Sequence, residues 1–366
     1  MPDPSFPAPA VAEALSSWFS HHRRELPWRE NRTAYRVWLS EIMCQQTRIS
    51  VVVDYYLRFL QHFPTVFDLA AAHEDEVLGL WSGLGYYSRG RNVHKAAKQV
   101  VDDYEGVFPN TSEGLRQLAG VGPYTSRAIA SFAFGERCGV VDGNVHRVVS
   151  RLTDDDTPVN TPAGHDRVQA VMDALVDVAA TPALVNEGVM ELGALLCTPK
   201  SPSCASCPVA DVCQSRAAGT QLQRPVKKPK SPRKKVHWVA VNVVRSDGNL
   251  WVEKNTDKRL FGALYGPPAV EVDGHDDEQV LLSAAQQLVH QRGLAIDVKG
   301  PPTAVRRVLT HRELLVQVFT VHADDVVTAE VGTWLDLDAE KLPVGLSTSA
   351  KAMLQTASAP SQGRLL

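Results

Sequence analysis

From about residue 11 to residue 213 the apolar positions recur at intervals of three and four. Leu15, Trp18 and Phe19 make one such set, and Val37, Trp38 and Ile42 a second. Val52, Tyr55, Tyr56 and Phe59 make a third, followed by Ile129, Phe132 and Ala133. This is the helical period, and it predicts an all-α domain over residues 11–215. Phe63-Pro64, Gly83-Leu84-Gly85, Phe108-Pro109, Gly120-Val121-Gly122-Pro123 and Thr161-Pro162 interrupt it, so the helices are short and joined by tight turns. Beyond residue 235 the pattern changes to alternation or solid apolar runs at 238–244, 250–252 and 314–321. One helical stretch, about 277–291, is closed by Gly293. A second domain of α+β class is therefore expected over 236–352. Between the two, residues 216–235 hold Pro225, Pro229 and Pro232 with few apolar side chains, the composition of an extended linker. Residues 1–10 and 353–366 read as a disordered N-terminus and a flexible tail.

Composition adds limits to this picture. With 366 residues, 44% apolar and 22% charged, the chain has material for two packed cores and is not disordered throughout. It lacks a run of eighteen apolar residues, so no membrane-spanning helix is expected. The Pro-rich, acidic start differs from a secretory signal, which gives the expectation of a cytoplasmic protein. The formal charge is −3, yet residues 224–235 carry seven cations and no acid, leaving about −10 for the remainder.

Of six cysteines, Cys197, Cys204, Cys207 and Cys213 crowd into one short loop. In a chain without a signal such crowding points to a metal centre. Four thiolates around one loop suit a cubane iron–sulfur cluster. Structural zinc, the rival, more often takes two close pairs, and only Cys204 and Cys207 form one here.

Two carboxylates have contrasting surroundings. Glu41 follows Trp38 by three and Val37 by four, which places it on their apolar face, where its pKa should rise. Asp142 ends the run Val140-Val141 at the mouth of a helix, where N–H donors and the helix dipole favour its charge. One protonated acid and one charged acid is the arrangement that breaks glycosidic bonds. The bland readings are a bonded structural acid at Glu41 and an ordinary N-cap at Asp142 or Asn144. The Gly120-Val121-Gly122 turn could aim backbone N–H groups at a phosphate, or be only a tight corner between helices.

Leu26-Pro27-Trp28-Arg29, Trp38-Leu39-Ser40-Glu41-Ile42-Met43, Gln45-Gln46-Thr47, Gly83-Leu84-Gly85-Tyr86-Tyr87-Ser88-Arg89, the glycine turn, Val141-Asp142-Gly143-Asn144-Val145 and the cysteine loop resemble, in this order, the MutY-type adenine DNA glycosylases. The resemblance implies a helix-hairpin-helix DNA glycosylase domain with an iron–sulfur loop holding a [4Fe-4S] cluster, acting as a monomer on double-stranded DNA. The substrate it implies is adenine opposite 8-oxoguanine or guanine, flipped out of the stack, by an enzyme of base excision repair found with the nucleoid when bound. It gives Glu41 as proton donor, Asp142 as stabiliser of the sugar cation, and Tyr124 and Asn144 as positioning groups. Trp28, Arg29 and Glu187 match the adenine pocket. Gln46, Thr47, Leu84 and Tyr86 match the residues that read or wedge beside the lesion. Gly120, Val121 and Gly122 match the phosphate-holding hairpin. The related endonuclease III branch has a lysine where Tyr124 stands, and a phenol cannot form its Schiff base.

Residues 236–350 resemble, more weakly, the Nudix-like lesion-recognition domain of the same family. Leu281 to Gln291 carries none of the glutamates that a magnesium-dependent Nudix hydrolase needs, so pyrophosphatase activity is not expected. Leu309-Thr310-His311 stands where the family's lesion-reading Phe-Ser-His is expected, assigning Thr310 and His311 to that role. Only Lys200 is cationic between Cys197 and Cys204, and the basic linker could follow the duplex backbone or dock a repair protein. The rivals are an endonuclease III-like glycosylase and lyase, and a non-catalytic damage-binding module.

Overall fold

A computed structural model of the chain describes residues 6–229, 232–255, 264–273, 277–309, 311–324, 332–339, 342 and 344–357. It divides into two compact units, Met1–Lys230 and Ser231–Leu366.

The first unit is helical. Its elements are α1 (Ala8–His22), α2 (Ala34–Cys44), α3 (Ile49–His62), α4 (Val66–Ala71), α5 (Glu74–Trp81) and α6 (Tyr87–Tyr104). After them come α7 (Ser112–Leu115), α8 (Pro123–Phe134), α9 (Gly143–Leu152), α10 (Pro162–Asp177), α11 (Pro182–Leu195) and α12 (Gln214–Ala218). Local chemistry sets the ends. Thr65 and Asp68 form a reciprocal capping box on α4, Pro123 opens α8 and Gly135 closes it at φ +74°.

Two apolar cores result. One gathers α2 to α8 around Trp38, Tyr56, Phe59 and Trp81, all fully buried, each side chain contributing about 1.5–3 kcal/mol by leaving water. The other joins α1 to α9, α10 and α11 through Leu15, Val145, Met172 and Val189. The N-terminal helix thus packs with the late helices, and a cleft opens between the two cores.

The boundaries differ from the sequence reading. Helix α1 starts at Ala8, inside the stretch expected to be disordered, because Pro9 suits a first helical turn and Val11 and Ala12 bury. The expected linker is partly folded: α12 occupies its start, Lys234 and Lys235 at its end already belong to a strand, and residues 224–228 lie along the first unit. There Val159 N–H donates to Val226 O (3.0 Å), and Asn160 brackets Lys228, its Nδ2 donating to Lys228 O (2.9 Å) and its Oδ1 accepting from Lys228 N (2.7 Å). Arg224 pairs with Asp154 at 3.1 Å. Composition could not reveal these long-range tethers.

The second unit is a mixed sheet of β1 (Lys234–Val244), β2 (Leu250–Lys254), β3 (Tyr265–Gly266), β4 (Ala269–Glu271), β5 (Thr303–Val308), β6 (Arg312–His322) and β7 (Gly332–Leu335). Its order is β3-β2-β1-β6-β5, with β1 parallel to β6 along eleven residue pairs. Alternation decides the two faces. Val239, Val241, Val243, Phe319 and Val321 meet α13 (Glu278–His290), while Val236, Ala240, Leu314, Val316 and Val318 meet α14 (Thr348–Leu354). The sheet is covered by a helix on each side, the α+β architecture expected. Met353 and Leu354 are buried and Asn242 Nδ2 donates to Met353 O (2.9 Å), so the expected tail begins later than residue 353.

Asn160→Ala removes both bonds to Lys228, each worth about 1 kcal/mol net. Trypsin cleavage after Lys227 should accelerate by about tenfold and the thermal midpoint should fall by about 4–8 °C, as a timed digest and a melting curve would read out.

Candidate active site

The cleft between the cores holds about 400 Å³. Trp28, Arg29, Glu41, Gln46, Thr47, Tyr124, Asp142, Asn144 and Glu187 all line it, although they come from positions far apart in the chain. Helix α2 supplies Glu41, α8 supplies Tyr124, the N-cap of α9 is Asp142, and α11 supplies Glu187.

Glu41 Oε2 accepts a hydrogen bond from the Tyr124 hydroxyl at 2.7 Å. Burial pushes its carboxyl up to about 7, against the pull of that bond, with the nearby negative charges of Glu187 and Asp142 adding to the rise. The Tyr124 phenol is itself held neutral by burial and by the two carboxylates. Cys44, also at the wall, is pushed up to about 12 by burial and is a neutral thiol.

Asp142 caps α9, accepting from Val145 N–H at 2.7 Å and from Asn144 Nδ2 at 3.3 Å. These donors favour its charge, as the sequence reading held. Burial outweighs them, however, and raises its carboxyl above the ordinary value. A chain of bonds continues outward: Arg147 Nη2 donates to Asn144 Oδ1 (2.9 Å) and Gly193 O (2.7 Å), and Arg147 Nε to Cys197 O (2.8 Å).

The far wall is an ion network that the sequence reading missed beyond Arg29 and Glu187. Arg24 grips Glu191 through two side-chain bonds of 2.8 and 2.7 Å. Arg29 reaches both Glu187 (3.2 Å) and Glu191 (3.0 Å), and Arg32 is bidentate on Glu187 at 2.5 and 3.0 Å. Burial alone would raise Glu191, but the bonds from Arg24 and Arg29 outweigh it and bring the carboxyl down to about 2. The signal available in the sequence was Glu187 and Glu191 four apart on one helix face.

Gln46 and Tyr86 are exposed and left-handed, at φ +56° and +48°. Leu84, assigned with them to the lesion edge, is buried in the first core at 5% exposure. It is a packing residue here, because its side chain sits in the apolar interior beneath the turn. Thr47 is half-buried. At the hairpin, Gly120 has φ +74°, and a Cβ there would lie 2.6 Å from Asn92. Val121 is buried, while Gly122 meets open space ahead of α8. In the second unit, Leu309 N–H bonds Arg312 O (2.8 Å) and so closes the β5–β6 turn, on which His311 is exposed. Thr310 lies outside the described residues.

Cys197, Cys204, Cys207 and Cys213 ring a small cavity of about 30 Å³ with Leu196, Pro202 and Ala210. Arg151 Nη1 lies 3.3 Å from Cys197 Sγ, a cation beside the cysteine sulfur. Among the described residues no three His, Cys, Asp or Glu side chains converge as on a single ion. The donors instead surround a space, as a four-iron cubane with one ligand per iron requires. No helix among the described residues is long and apolar enough to cross a membrane.

Comparison with known proteins agrees with this geometry. Residues 39–163 match the HhH-GPD superfamily of base excision DNA repair proteins, and residues 197–213 the iron-sulfur binding domain of endonuclease III. A thermostable thymine-DNA glycosylase shares the fold of the helical unit, with TM-score 0.52 and 24% identity over 58% of this chain and 97% of that one. The fold and cleft define a helix-hairpin-helix protein with a [4Fe-4S] loop. Among curated relatives, the adenine DNA glycosylase of Buchnera aphidicola subsp. Schizaphis graminum is 32% identical over 69% of this chain and 73% of its own length. That of Mycolicibacterium smegmatis is 38% identical over 56% and 69%. The human one is 44% identical over 58% of this chain, which spans 41% of that relative's length. The chain belongs to the adenine DNA glycosylase family.

Glu191→Gln takes the charge partner from Arg24, leaves Arg29 with Glu187 alone, and should cost about 3 kcal/mol of stability at neutral pH. Because its folded pKa is depressed, the contribution of Glu191 is present above about 4.5 and lost as pH falls through about 2. Urea titrations of both proteins should therefore converge toward acid pH.

Proposed function

We propose that the chain is a monofunctional adenine DNA glycosylase that hydrolyses the bond between adenine N9 and C1′ in duplex DNA, where adenine stands opposite 8-oxoguanine or guanine. The observation that carries this reading is Glu41, a carboxyl raised to about 7 and bonded to Tyr124, in one pocket with Asp142. A donor poised near neutral pH is what protonation of a leaving base asks for.

A flipped adenosine would enter the cleft. Glu41 donates its proton to adenine N7, so that the base departs neutral with the bonding electron pair. The deoxyribose is left cationic at C1′, facing the Asp142 carboxylate, which is held by Val145 N–H and Asn144. Water adds at C1′, and its proton restores Glu41. Trp28, Arg29 and Glu187 form the wall that holds the base, with Arg32 restraining Glu187. Tyr124 offers no amine for a Schiff base, which favours base release without strand cleavage.

Gln46, Thr47 and Tyr86 would face the opposite base, Tyr86 as the inserted ring. The N–H groups of Gly120 and Gly122 would hold a phosphate, the Val121 N–H being donated to Leu118 O (3.1 Å). Cys197, Cys204, Cys207 and Cys213 would hold the cluster, which when bound supplies four iron–thiolate links that tie the loop together. The second unit is read as the lesion-recognition domain, with Thr310 and His311 as the residues that would read the lesion.

The test is single-turnover incubation with duplexes holding adenine opposite 8-oxoguanine, guanine or thymine. Breaks that appear at adenine only after alkali are expected. Breaks without alkali would establish a lyase, and tight binding without release would establish a damage-binding module. Glu41→Gln and Asp142→Asn should each slow release at least a hundredfold with duplex affinity preserved.

The rate should fall as pH rises through about 7, because the protonated form of Glu41 is the active one. A rate that keeps rising above neutrality would remove Glu41 as the donor.

A further inference from the structure

Gln46 and Tyr86 share a feature that packing alone does not explain. Both are non-glycine residues in the left-handed region, a conformation that costs about 1–2 kcal/mol each. One side chain brackets both. Arg89, in the first turn of α6, reaches back with Nη1 to the carbonyls of Ile42 (2.8 Å), Met43 (3.1 Å) and Gln45 (2.5 Å). These are acceptors that the end of α2 leaves open. Its Nη2 reaches Thr47 Oγ1 (3.2 Å) and the carbonyls of Leu84 (3.2 Å) and Gly85 (3.4 Å). Gln46 is thus pinned on either side, through Gln45 and Thr47. Tyr86 is pinned through Gly85 before it and by Arg89 N–H on its own carbonyl at 2.8 Å. The guanidinium also lies 5.4 Å from the Tyr86 ring centroid and 5.7 Å from that of Trp81.

We propose that Arg89 is the positioning residue that locks the two strained turns carrying Gln46 and Tyr86 into one rigid edge, and so sets how the protein discriminates the base opposite adenine. The inference rests on the reading of these residues as the lesion-facing edge. Arg89 itself lies under the turns and need not touch DNA. A planar fork with donors on two nitrogens can join two backbone segments, whereas a lysine ammonium carries its three donors on one nitrogen, which cannot stand in both positions. A wedge already held in place spends less binding energy on its own ordering when it enters the stack. Tyr86 is half exposed, as an inserting ring must be.

The test compares the wild-type chain with Arg89→Lys, which keeps the charge and loses the bridge. The first readout is 2-aminopurine fluorescence beside 8-oxoguanine, in a duplex with a non-cleavable abasic analogue opposite. The second is the ratio of single-turnover rates for adenine opposite 8-oxoguanine and opposite guanine, taken per active site by burst titration. The wild type should unstack the probe, and Arg89→Lys should lose at least fivefold of that signal and change the rate ratio at least tenfold. Equal unstacking and an equal ratio in the two proteins overturn the proposal. So does a variant that is only less folded, with both readouts unchanged per active site, and so does a wild type that fails to unstack the probe. Unstacking by the wild type but not by Arg89→Lys, with no adenine released by either, rejects the activity reading and leaves the clamp standing.

Discussion

The helical unit depends on how buried charge is partnered. A carboxylate taken out of water must be bonded, paired or neutralised, and the cleft contains an example of each. Glu191 is paired by two arginines and stays strongly acidic. Asp142 is bonded by the N–H groups that open α9. Glu41 accepts a bond from a phenol and lies near the negative Glu187 and Asp142, and burial moves it to about 7. Three acids in one pocket thereby acquire their chemistry from the balance of burial and partners. The two apolar cores matter to the proposed reaction because packing against them buries Glu41 and Asp142, and that burial raises both.

Arginine does most of the joining. Arg24 and Arg29 connect the segment before α2 to α11, Arg147 and Arg151 connect α9 to the cysteine loop, and Arg89 connects the end of α2 to the turn before α6. In each case one guanidinium satisfies several acceptors, carboxylates of α11 for Arg24 and Arg29 and carbonyls of helix ends and loops for the others. This is cheaper than burying more polar backbone and more rigid than a lysine contact. The same feature explains how short helices linked by tight turns can hold a pocket whose walls come from the whole length of the unit.

The second unit was legible for a different reason. Its strands alternate, so the face assignment of Val239, Val241 and Val243 against that of Val236 and Ala240 follows from the period of two. Asp277, the N-cap of α13, was visible as the start of a helical run. The parallel pairing of β1 with β6 was not visible, since nothing local records which distant strand becomes the neighbour. The folded part of the expected linker escaped for the same reason, its tethers running from Asn160 to Lys228 and from Asp154 to Arg224.

The sequence by itself determined the helical and α+β division, the cysteine loop, the family, and nine of the residues that meet in the cleft. Each of these is written in spacing over a few residues, or in motifs kept in order. It also determined that Glu41 would be raised, because two apolar neighbours on its own helix face announce burial. Only the tertiary structure decided that Asp142 is raised as well, that Leu84 is core, and that Glu191 and Arg89 hold the walls in place. Those outcomes turn on desolvation and on partners far apart in the chain, as Arg24 and Glu191 are, and neither has a local signature.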